Sequence, residues 1–551
     1  MASPFLYVPS KHGNGLQSFT DPFYMEYTRN IREMKNVMNS IILADDDYRE
    51  RSIEALNLVN AVLRVGIDYH VQDEIKSILE REHIIFSDHI SNQYFNNINQ
   101  DHLYEVSLRF RLLRQGGYDV SPDVFNELMK DKKGNFNVLV EEDREGLREL
   151  FEASQVRIEG EEVLEEAEVF SGEHLKEWAN LHRHTSEARS IQLTLDQPCH
   201  KSLARVTSPN FLDSFSANTA TRDQGWTWMT LLNKLVTMDF KIVQSIHQRE
   251  IVLVSKWWKE LGLAEELKFA RDQPLKWYLW TVASLPDPSL SEERIELTKP
   301  ISLVYIIDDI FDVYGTLDEL TLFTDAVNNW EIKEQFPDYL KICFKALDDI
   351  TNKISYVVYR KHGWNPIDSL RKSWGKLCNA FLLEAEWFGC GKLPNEEEYL
   401  KNAIVSSGVH VVLVHMFFLL GEGISMEAVN LLDNIPGLVS STAAILRLWD
   451  DLGSAKDENQ NGHDGSYVEC YMKRHKECSM GEAREQVIRM IKNEWERLNK
   501  ECFSPKHFPM CFRKGCLNAA RMVPVMYDYD DHHRLPSLQN YINSLLSHQT
   551  I

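Results

Sequence analysis

The chain has 551 residues, and 60 lysines and arginines against 83 aspartates and glutamates give it a formal net charge of −23. This acidity argues against nucleic acid or an anionic membrane as the main partner, because both require a basic face. With 43% hydrophobic residues, 25 glycines and 18 prolines, the composition is that of a globular protein that is poor in tight turns.

Residues 1–20 contain neither an acidic residue nor the apolar core of a secretory signal, and we predict a flexible N-terminal segment. No arginine precedes Arg29, which argues against a full organelle transit peptide. The nine cysteines form no CxxC pair, which is typical of reduced thiols and indicates a cytoplasmic protein. The alternative is a plastid protein with a short or trimmed transit peptide. The longest apolar run, Val409–Leu420, is too short to cross a bilayer, so no membrane span is expected.

Apolar residues recur at the helical spacing i, i+3, i+4, i+7 along the first part of the chain, and strict strand-like alternation is scarce. The segments with this spacing are 53–65, 71–82, 103–115, 146–158 and 161–170. A polar, turn-rich stretch at residues 210–222 separates them from a more aromatic C-terminal part. We therefore predict an all-α protein with an N-terminal domain at residues 21–220 and a C-terminal domain at residues 221–551.

The most informative segment reads PISLVYIIDDIFDVYG. It is apolar almost all round, which predicts a buried helix that begins at Pro300 and ends at Gly315. Asp308, Asp309 and Asp312 fall in its last turns, where the helix dipole is already negative. Asp308 and Asp312 are four residues apart and share a face. Carboxylates crowded in this way need a cation, and oxygen ligands without nearby His or Cys favour Mg²⁺ or Mn²⁺.

A solvated acidic helix end is the alternative interpretation of this cluster, since a DDxxD pattern also occurs by chance. Two other acidic clusters, at residues 45–47 and 348–349, lie in polar surroundings and illustrate that case. The apolar helix that carries Asp308 and Asp312 is what favours the metal site.

A second apolar run, TAAILRLWDDLGSAKDE, also ends in acidic residues. Asp450, Ser454 and Glu458 are spaced by four, so they lie along one stripe of a helix and suit a hard cation. Arg447 lies one turn before Asp450 and offers a forked donor for phosphate. Residues 457–466 are predicted to form a mobile polar loop, a candidate lid. The alternative for this segment alone is an amphipathic surface helix.

Together the two acidic segments resemble the two metal motifs of class I plant terpene synthases. The resemblance covers almost the whole chain and includes RDQPLKWYLW at residues 271–280, LRELFEAS at 147–154, the Trp257-Trp258 pair and MYDYDD at 526–531. It implies two helical domains, an N-terminal α-barrel without known catalysis and a C-terminal class I terpenoid synthase helical bundle that holds the active site.

The resemblance also implies a ligand set for metal ions. Asp308 and Asp312 would bind two Mg²⁺ ions, and Asp450, Ser454 and Glu458 would bind a third, with Mn²⁺ as a possible substitute. Through these ions Asp308, Asp312 and Asp450 would also hold the substrate.

The substrate implied by the resemblance is a prenyl diphosphate, bound by a protein that we expect to be a monomer. Arg271 and Arg447 would hold the diphosphate, and metal and arginine charges would neutralise it as it leaves. Trp280 and Tyr527 are candidates for stabilising the allylic cation with their ring faces, and ordinary core packing is the alternative for each. Lys473 is a candidate diphosphate sensor or a surface lysine.

Two departures from many relatives concern the product. An Arg-x-Arg pattern is reduced here to Arg271, Asp272 and Gln273, and no tandem arginines precede the first tryptophan, Trp178. Both departures are similar to the subgroup that makes acyclic alcohols. We therefore predict ionisation of geranyl or farnesyl diphosphate and capture of water at the tertiary carbon, which gives linalool or nerolidol.

Several alternatives stay open from the sequence. The chain could be a cyclic mono- or sesquiterpene synthase, a chain-elongating isoprenyl diphosphate synthase or a non-catalytic helical scaffold, and the choice between C10 and C15 substrates is not readable. A DxDD pattern at residues 528–531 is typical of class II cyclases, but it lies at the wrong end of the chain. We interpret it as a loop over the class I pocket.

Overall fold

The structure, a computed structural model, describes residues 22–43, 48–91, 101–129, 143–219, 228–454, 466–527 and 536–546. Throughout these ranges the regular structure is helical and contains no strand, which confirms the all-α prediction. The fold separates into two compact units, one that ends at Ser245 and one that spans Ile246–Leu546. This division lies inside a long helix. The predicted boundary at residue 220 falls outside the described residues and stays a prediction, as does the flexible segment at residues 1–20.

The first unit contains the helices predicted from the five periodic segments. Its helices are α1 (Pro22–Leu43), α2 (Tyr48–Val65), α3 (Gln72–Ser91), α4 (Asp101–Gln115), α5 (Val124–Met129), α6 (Arg144–Ser154), α7 (Glu162–Leu181), α8 (Ser186–Asp196), α9 (Ala204–Thr219) and the first part of α10 (Trp228–Leu261).

One local expectation in this unit is wrong. Residues 210–219, which we took for turns, belong to α9. This helix packs against α2, and tertiary packing outweighs the weak helix propensity of its serine, asparagine and threonine residues.

The second unit carries the acidic segments. After the rest of α10 come α11 (Leu263–Glu266), α12 (Pro274–Ser284), α13 (Ser291–Asp309), α14 (Leu317–Asn329), α15 (Asp338–His362), α16 (Ile367–Gly389), α17 (Glu396–Ser406), α18 (Val409–Leu420), α19 (Met426–Leu432), α20 (Gly437–Ser454), α21 (Tyr467–Arg474), α22 (Met480–Phe503), α23 (Met510–Tyr527) and α24 (Pro536–Leu546). Helix α12 packs against α13 and α23, while α20 packs against α17, α22 and α23.

The first acidic helix ends at Gly315 as predicted, but it starts earlier than predicted and its last turn is not α-helical. It begins at Ser291, nine residues before Pro300, and the proline lies in its interior. Proline removes one backbone hydrogen bond there, but the buried apolar residues on both sides hold the helix together. After Asp309 the chain widens into a π-helical turn, Ile310–Tyr314, which Gly315 closes by donating its N–H to the Ile310 oxygen at 2.8 Å. Such turns recur at functional sites.

Gly315 is required at the end of this turn. A Cβ at this position would lie 2.6 Å from Leu320 Cδ2 and 3.0 Å from the Ile310 carbonyl oxygen. The glycine therefore fixes where the acidic helix ends, and with it the position of the last carboxylate.

One apolar stretch, Glu396–Leu420, passes a test of length and composition for a membrane helix. It comprises α17 and α18, which are separated at Gly408, where the backbone is left-handed. In the most apolar 18-residue part of this stretch, 72% is buried inside the protein. These observations fit core helices and do not support a membrane span.

Candidate active site

Arg271 lies against the first acidic cluster just before α12 begins. Its guanidinium pairs with Asp308 through Nη2 and with Asp309 through Nε, the latter at 2.7 Å. Its backbone N–H also donates to Asp309 Oδ2 at 2.7 Å. The sequence analysis gave Asp309 no role. Its carboxylate contacts both the backbone N–H and the guanidinium of Arg271, and it therefore positions Arg271.

Asp308 and Asp312 repel each other as predicted. Desolvation by the surrounding protein, together with the charges of Asp308 and Glu384, raises the pKa of Asp312 to about 7. Burial also raises the pKa of Asp308. The Asp312 side chain is nevertheless exposed, so it can be reached by a ligand. Carboxylates in this state gain stability from any cation that binds between them.

Arg447 links Asp450 of the second acidic cluster to Ser406 on the neighbouring helix α17. Its Nη1 lies 3.8 Å from Asp450 Oδ2, and its Nη2 donates to Ser406 Oγ at 3.2 Å. Ser406 also donates to Glu384 at 2.6 Å. The Nε of Arg447 is buried and has no hydrogen-bond partner among the described residues. A buried donor of this kind is available to an anionic ligand.

The two clusters, which are far apart in the sequence, lie within electrostatic range of each other. Burial raises the pKa of Asp450, and the negative charge of Asp308 raises it further. Arg447 in turn lowers the pKa of Asp308. The side chains of Asp308 and Asp450 are 30% and 40% exposed, so both can reach a ligand. In the described part of the chain, no group of three or more His, Cys, Asp or Glu side chains is arranged to hold a metal ion by itself.

Asp451 has a different position from its neighbour Asp450. It is buried, accepts a hydrogen bond from the Tyr399 hydroxyl at 2.9 Å and accepts the Tyr467 N–H at 3.1 Å. Desolvation by burial raises its pKa to about 7. Asp451 thus joins α20 to the start of α21.

The two aromatic candidates, Trp280 and Tyr527, lie together. Their ring centroids are 6.4 Å apart, and Trp280 Nε1 donates to the hydroxyl of Tyr305 at 3.1 Å. Tyr305 lies one turn before Asp308 on α13, and the guanidinium of Arg271 sits 4.8 Å from its ring centroid. The aromatic group is therefore continuous with the acidic cluster.

A lysine that the sequence did not single out also faces this region. Lys276 lies in the first turn of α12, four residues before Trp280, so the two share a helix face. Burial lowers its pKa, the charge of Arg271 lowers it further, and Asp450 opposes both. It forms no ion pair with any described residue. Lys473, by contrast, is exposed on α21.

Some predicted features lie outside the described residues. These are Glu458, most of the candidate lid at 457–466, and the DxDD residues 528–531. Ser454 is the last residue of α20, so only its backbone position is described.

The sequence analysis did not identify Glu384 and Tyr305 as site residues, because the sequence around them gives little indication of a functional role. Glu384 is an acid in the apolar run FLLEAEWF, and Tyr305 is one turn from Asp308 in the segment that drew our attention. Neither position differs in the sequence from ordinary helix surface or core. Only the packing of α16 brings Glu384 to the carboxylates, whereas Tyr305 lies one turn from Asp308 on the same helix.

Cavity size alone does not locate the site. A surface recess of about 750 Å³ lies between α21 and α22, lined by residues that include Tyr471, His475, Glu482 and Arg489. It contains none of the predicted site residues. We place the candidate site by the converging charges instead.

Comparison with known proteins assigns both the N-terminal and the C-terminal part of the chain to one protein family. Residues 10–195 match the family profile described as the terpene synthase N-terminal domain, and residues 259–497 match the metal binding domain of the terpene synthase family. The solved structure of isoprene synthase from grey poplar leaves, in complex with three Mg²⁺ ions and dimethylallyl-S-thiolodiphosphate, is 32% identical. The aligned region covers 96% of this chain and 98% of the isoprene synthase chain, with a TM-score of 0.84.

Curated relatives match over nearly the full length. A protein of Ricinus communis described as probable terpene synthase 13 is 54% identical over 90% of this chain and 85% of its own. An (E)-nerolidol synthase of Cannabis sativa is 47% identical over 90% and 88%. The S-(+)-linalool synthase of Arabidopsis thaliana, described as chloroplastic, is 45% identical over 98% and 91%. With this coverage and the two-domain helical fold, the chain belongs to the terpene synthase family of lyases.

Proposed function

We propose that this terpene synthase ionises geranyl or farnesyl diphosphate in a magnesium-dependent reaction and captures water, giving linalool or nerolidol and diphosphate. The allylic C–O bond breaks, the electron pair leaves with diphosphate, water bonds to the tertiary carbon and a proton is lost. The observation that carries the proposal is the approach of two pairs from distant parts of the chain. One pair is Arg271, just before α12, with Asp308 on α13, and the other is Arg447 with Asp450 on α20.

The donor set fits divalent cations of the Mg²⁺ type. Asp308, Asp312 and Asp450 offer accessible carboxylate oxygens. Burial raises the pKa of all three, the charge of Asp308 raises that of Asp312 and Asp450 further, and such hard oxygen ligands suit Mg²⁺ or Mn²⁺. We assign Asp308 and Asp312 to two ions, and Asp450, Ser454 and Glu458 to a third. When bound, these ions supply charge neutralisation for the departing diphosphate.

Basic side chains complete the diphosphate site in this proposal. Arg447 contributes its buried unpartnered Nε, and Arg271 contributes a guanidinium that the two aspartates hold in place. Lys276 takes over the position of a second basic residue, because Gln273 stands where many relatives carry arginine. A lysine without an ion-pair partner beside Asp450 and Arg271 is suited to a phosphate oxygen.

The aromatic residues hold the cation and the water. The ring faces of Trp280 and Tyr527 stabilise an allylic cation by about 0.5–2 kcal/mol each. The Tyr305 hydroxyl accepts its hydrogen bond from Trp280, so its own O–H is available to orient a water molecule beside the cation. This hydroxyl, in a group that otherwise offers mainly ring faces, supports the alcohol product.

The nerolidol and linalool synthases among the relatives support the acyclic product. A cyclic mono- or sesquiterpene synthase is the second candidate, because a tricyclene synthase of Antirrhinum majus is 43% identical over 95% of the chain. We propose a monomer in the cytoplasm, where farnesyl diphosphate would be the substrate. The chloroplastic relatives favour the alternative, a plastid protein that acts on geranyl diphosphate.

Product analysis with each diphosphate and Mg²⁺ tests the proposal. We expect mainly linalool from the C10 substrate and nerolidol from the C15 substrate. Mainly cyclic hydrocarbons would establish the second candidate, and a longer prenyl diphosphate would indicate chain elongation. Thermal unfolding tests the scaffold alternative, since only an enzyme site should raise the midpoint with Mg²⁺ and diphosphate together but not with either alone.

A further inference from the structure

A small cavity in the first unit is lined by two half-buried arginines, Arg64 and Arg148, and by one acidic residue, Glu152. It has a volume of about 40 Å³ and is lined by residues of α2, α6, α8 and α9, together with Cys199. This volume is enough for about three water molecules or one small inorganic anion. It is too small for a prenyl diphosphate.

Two guanidinium groups are already paired: that of Arg64, which lines the cavity, and that of Arg111, which does not. Arg64 Nη2 donates to Glu152 Oε1 at 3.1 Å, and Arg111 Nε donates to Glu149 Oε1 at 2.6 Å. The second oxygen of Glu152 accepts the backbone N–H of Cys199 at 2.9 Å. The two carboxylates therefore balance two arginines and leave no charge for a third.

Arg148 is that third arginine, and it forms no ion pair with any described residue. Its Nε donates to Thr194 Oγ1 at 2.9 Å, and Thr194 donates onward to the Ser190 carbonyl at 3.1 Å. Burial lowers the pKa of Arg148, and the charge of Arg64 lowers it further. The Cys199 thiol cannot supply the missing negative charge, because burial raises its pKa to about 11.

We propose that this cavity binds a small inorganic oxyanion of the phosphate class. The terminal nitrogens of Arg148 provide the main donors, and the side chains of Ser190 and Gln197 line the same space. Guanidinium N–H groups match oxyanion oxygens in geometry, and the anion offsets the cost of burying an unpaired charge. The site lies in the first unit and is independent of the chemistry proposed for the second.

Inorganic phosphate, titrated into the full-length protein at constant ionic strength with EDTA present, tests this site. We expect the unfolding midpoint to rise by about 2–4 °C and amide hydrogen exchange to slow in α6 and α8. Arg148→Met should lose both responses and should unfold at a higher temperature than the wild type without phosphate, since it lacks the surplus buried charge. Arg144→Gln, on the same helix but exposed and paired with Glu187, should keep both responses.

Three results would overturn the proposal. The first is an equal phosphate response in the wild type and Arg148→Met. The second is protection confined to α12, which begins just after Arg271, and α20, which carries Arg447. The third is an equal response to chloride, which would exclude an oxyanion site. If Arg148→Met does not fold, Arg148→Gln with the exchange measurement decides the same question.

Discussion

Each of the two units contains a cluster of charged side chains. The clusters differ in the sign of the net charge that remains after the ion pairs are counted. In the first unit, Arg64 and Arg111 are paired with Glu152 and Glu149, and Arg148 adds a positive charge. In the second unit the balance is reversed, because the aspartates and Glu384 outnumber the basic residues around them. A cluster with surplus positive charge suits an anion, and one with surplus carboxylates suits a metal cation.

A third buried cluster shows what a complete network looks like. Glu250 accepts hydrogen bonds from Arg294 at 2.7 and 2.9 Å and from the Tyr278 hydroxyl at 2.6 Å. Arg294 uses its remaining donors on the carbonyl groups of Leu285 and Asp287. Each partner is satisfied, so this pair holds helices together and needs no ligand. Unbalanced charge, and not burial alone, distinguishes the two candidate sites.

The largest expected effect comes from removing a carboxylate of the second unit. Asp308→Ala or Asp312→Ala should reduce turnover by about 100-fold or more, because the departing diphosphate loses charge neutralisation. Circular dichroism should show unchanged helicity. The exposed Asp349 serves as a control, since Asp349→Ala should retain activity. Full activity in either active-site variant would refute the metal assignment.

Lys276→Gln should raise the KM for the prenyl diphosphate and the inhibition constant of inorganic diphosphate by about 10-fold or more, the value of one charge-assisted hydrogen bond. The exposed Lys268 provides the matched control variant, Lys268→Gln. Adding Gln273→Arg to Lys276→Gln should restore affinity. Unchanged constants in an active Lys276→Gln enzyme would remove Lys276 from the diphosphate site and leave the proposed reaction intact.

Trp280→Leu should lower kcat by about 5–30-fold, the equivalent of a desolvated cation–π interaction. Trp280→Phe keeps a ring face but loses the N–H donor, so its rate should fall less than that of Trp280→Leu. Steady-state kinetics on both variants separates the two contributions. An equal fall in kcat in the leucine and phenylalanine variants would mean that the ring face of Trp280 does not stabilise the cation and that Trp280 instead packs around Tyr305.

The smallest expected effect is a change in product ratio. Tyr305→Phe should keep turnover within about threefold but shift product from the tertiary alcohol to acyclic hydrocarbon, because the water loses one hydrogen-bond partner. Gas chromatography of the products measures the ratio. Tyr471→Phe, at the surface recess away from the carboxylates, is the control. An unchanged alcohol fraction in Tyr305→Phe would mean that the water is held elsewhere.

The sequence by itself determined the helices, the two acidic segments and the family, because apolar periodicity and carboxylate spacing are local properties. It placed Asp308 with Asp312 and Arg447 with Asp450 on shared helix faces, and the structure agrees. It misjudged the start of the helix at Pro300, because packing outweighed the local preference of proline.

Only the tertiary structure decided which charges meet. Glu384 lies on α16 and Lys276 on α12, and no spacing in the sequence indicates that they approach the carboxylates of α13 and α20. The surplus charge of Arg148 is likewise invisible until α2, α4 and α6 pack together. Pairing and burial are properties of contacts between helices. The net charge of −23 therefore could not reveal that a cluster in the first unit has surplus positive charge and a cluster in the second has surplus negative charge.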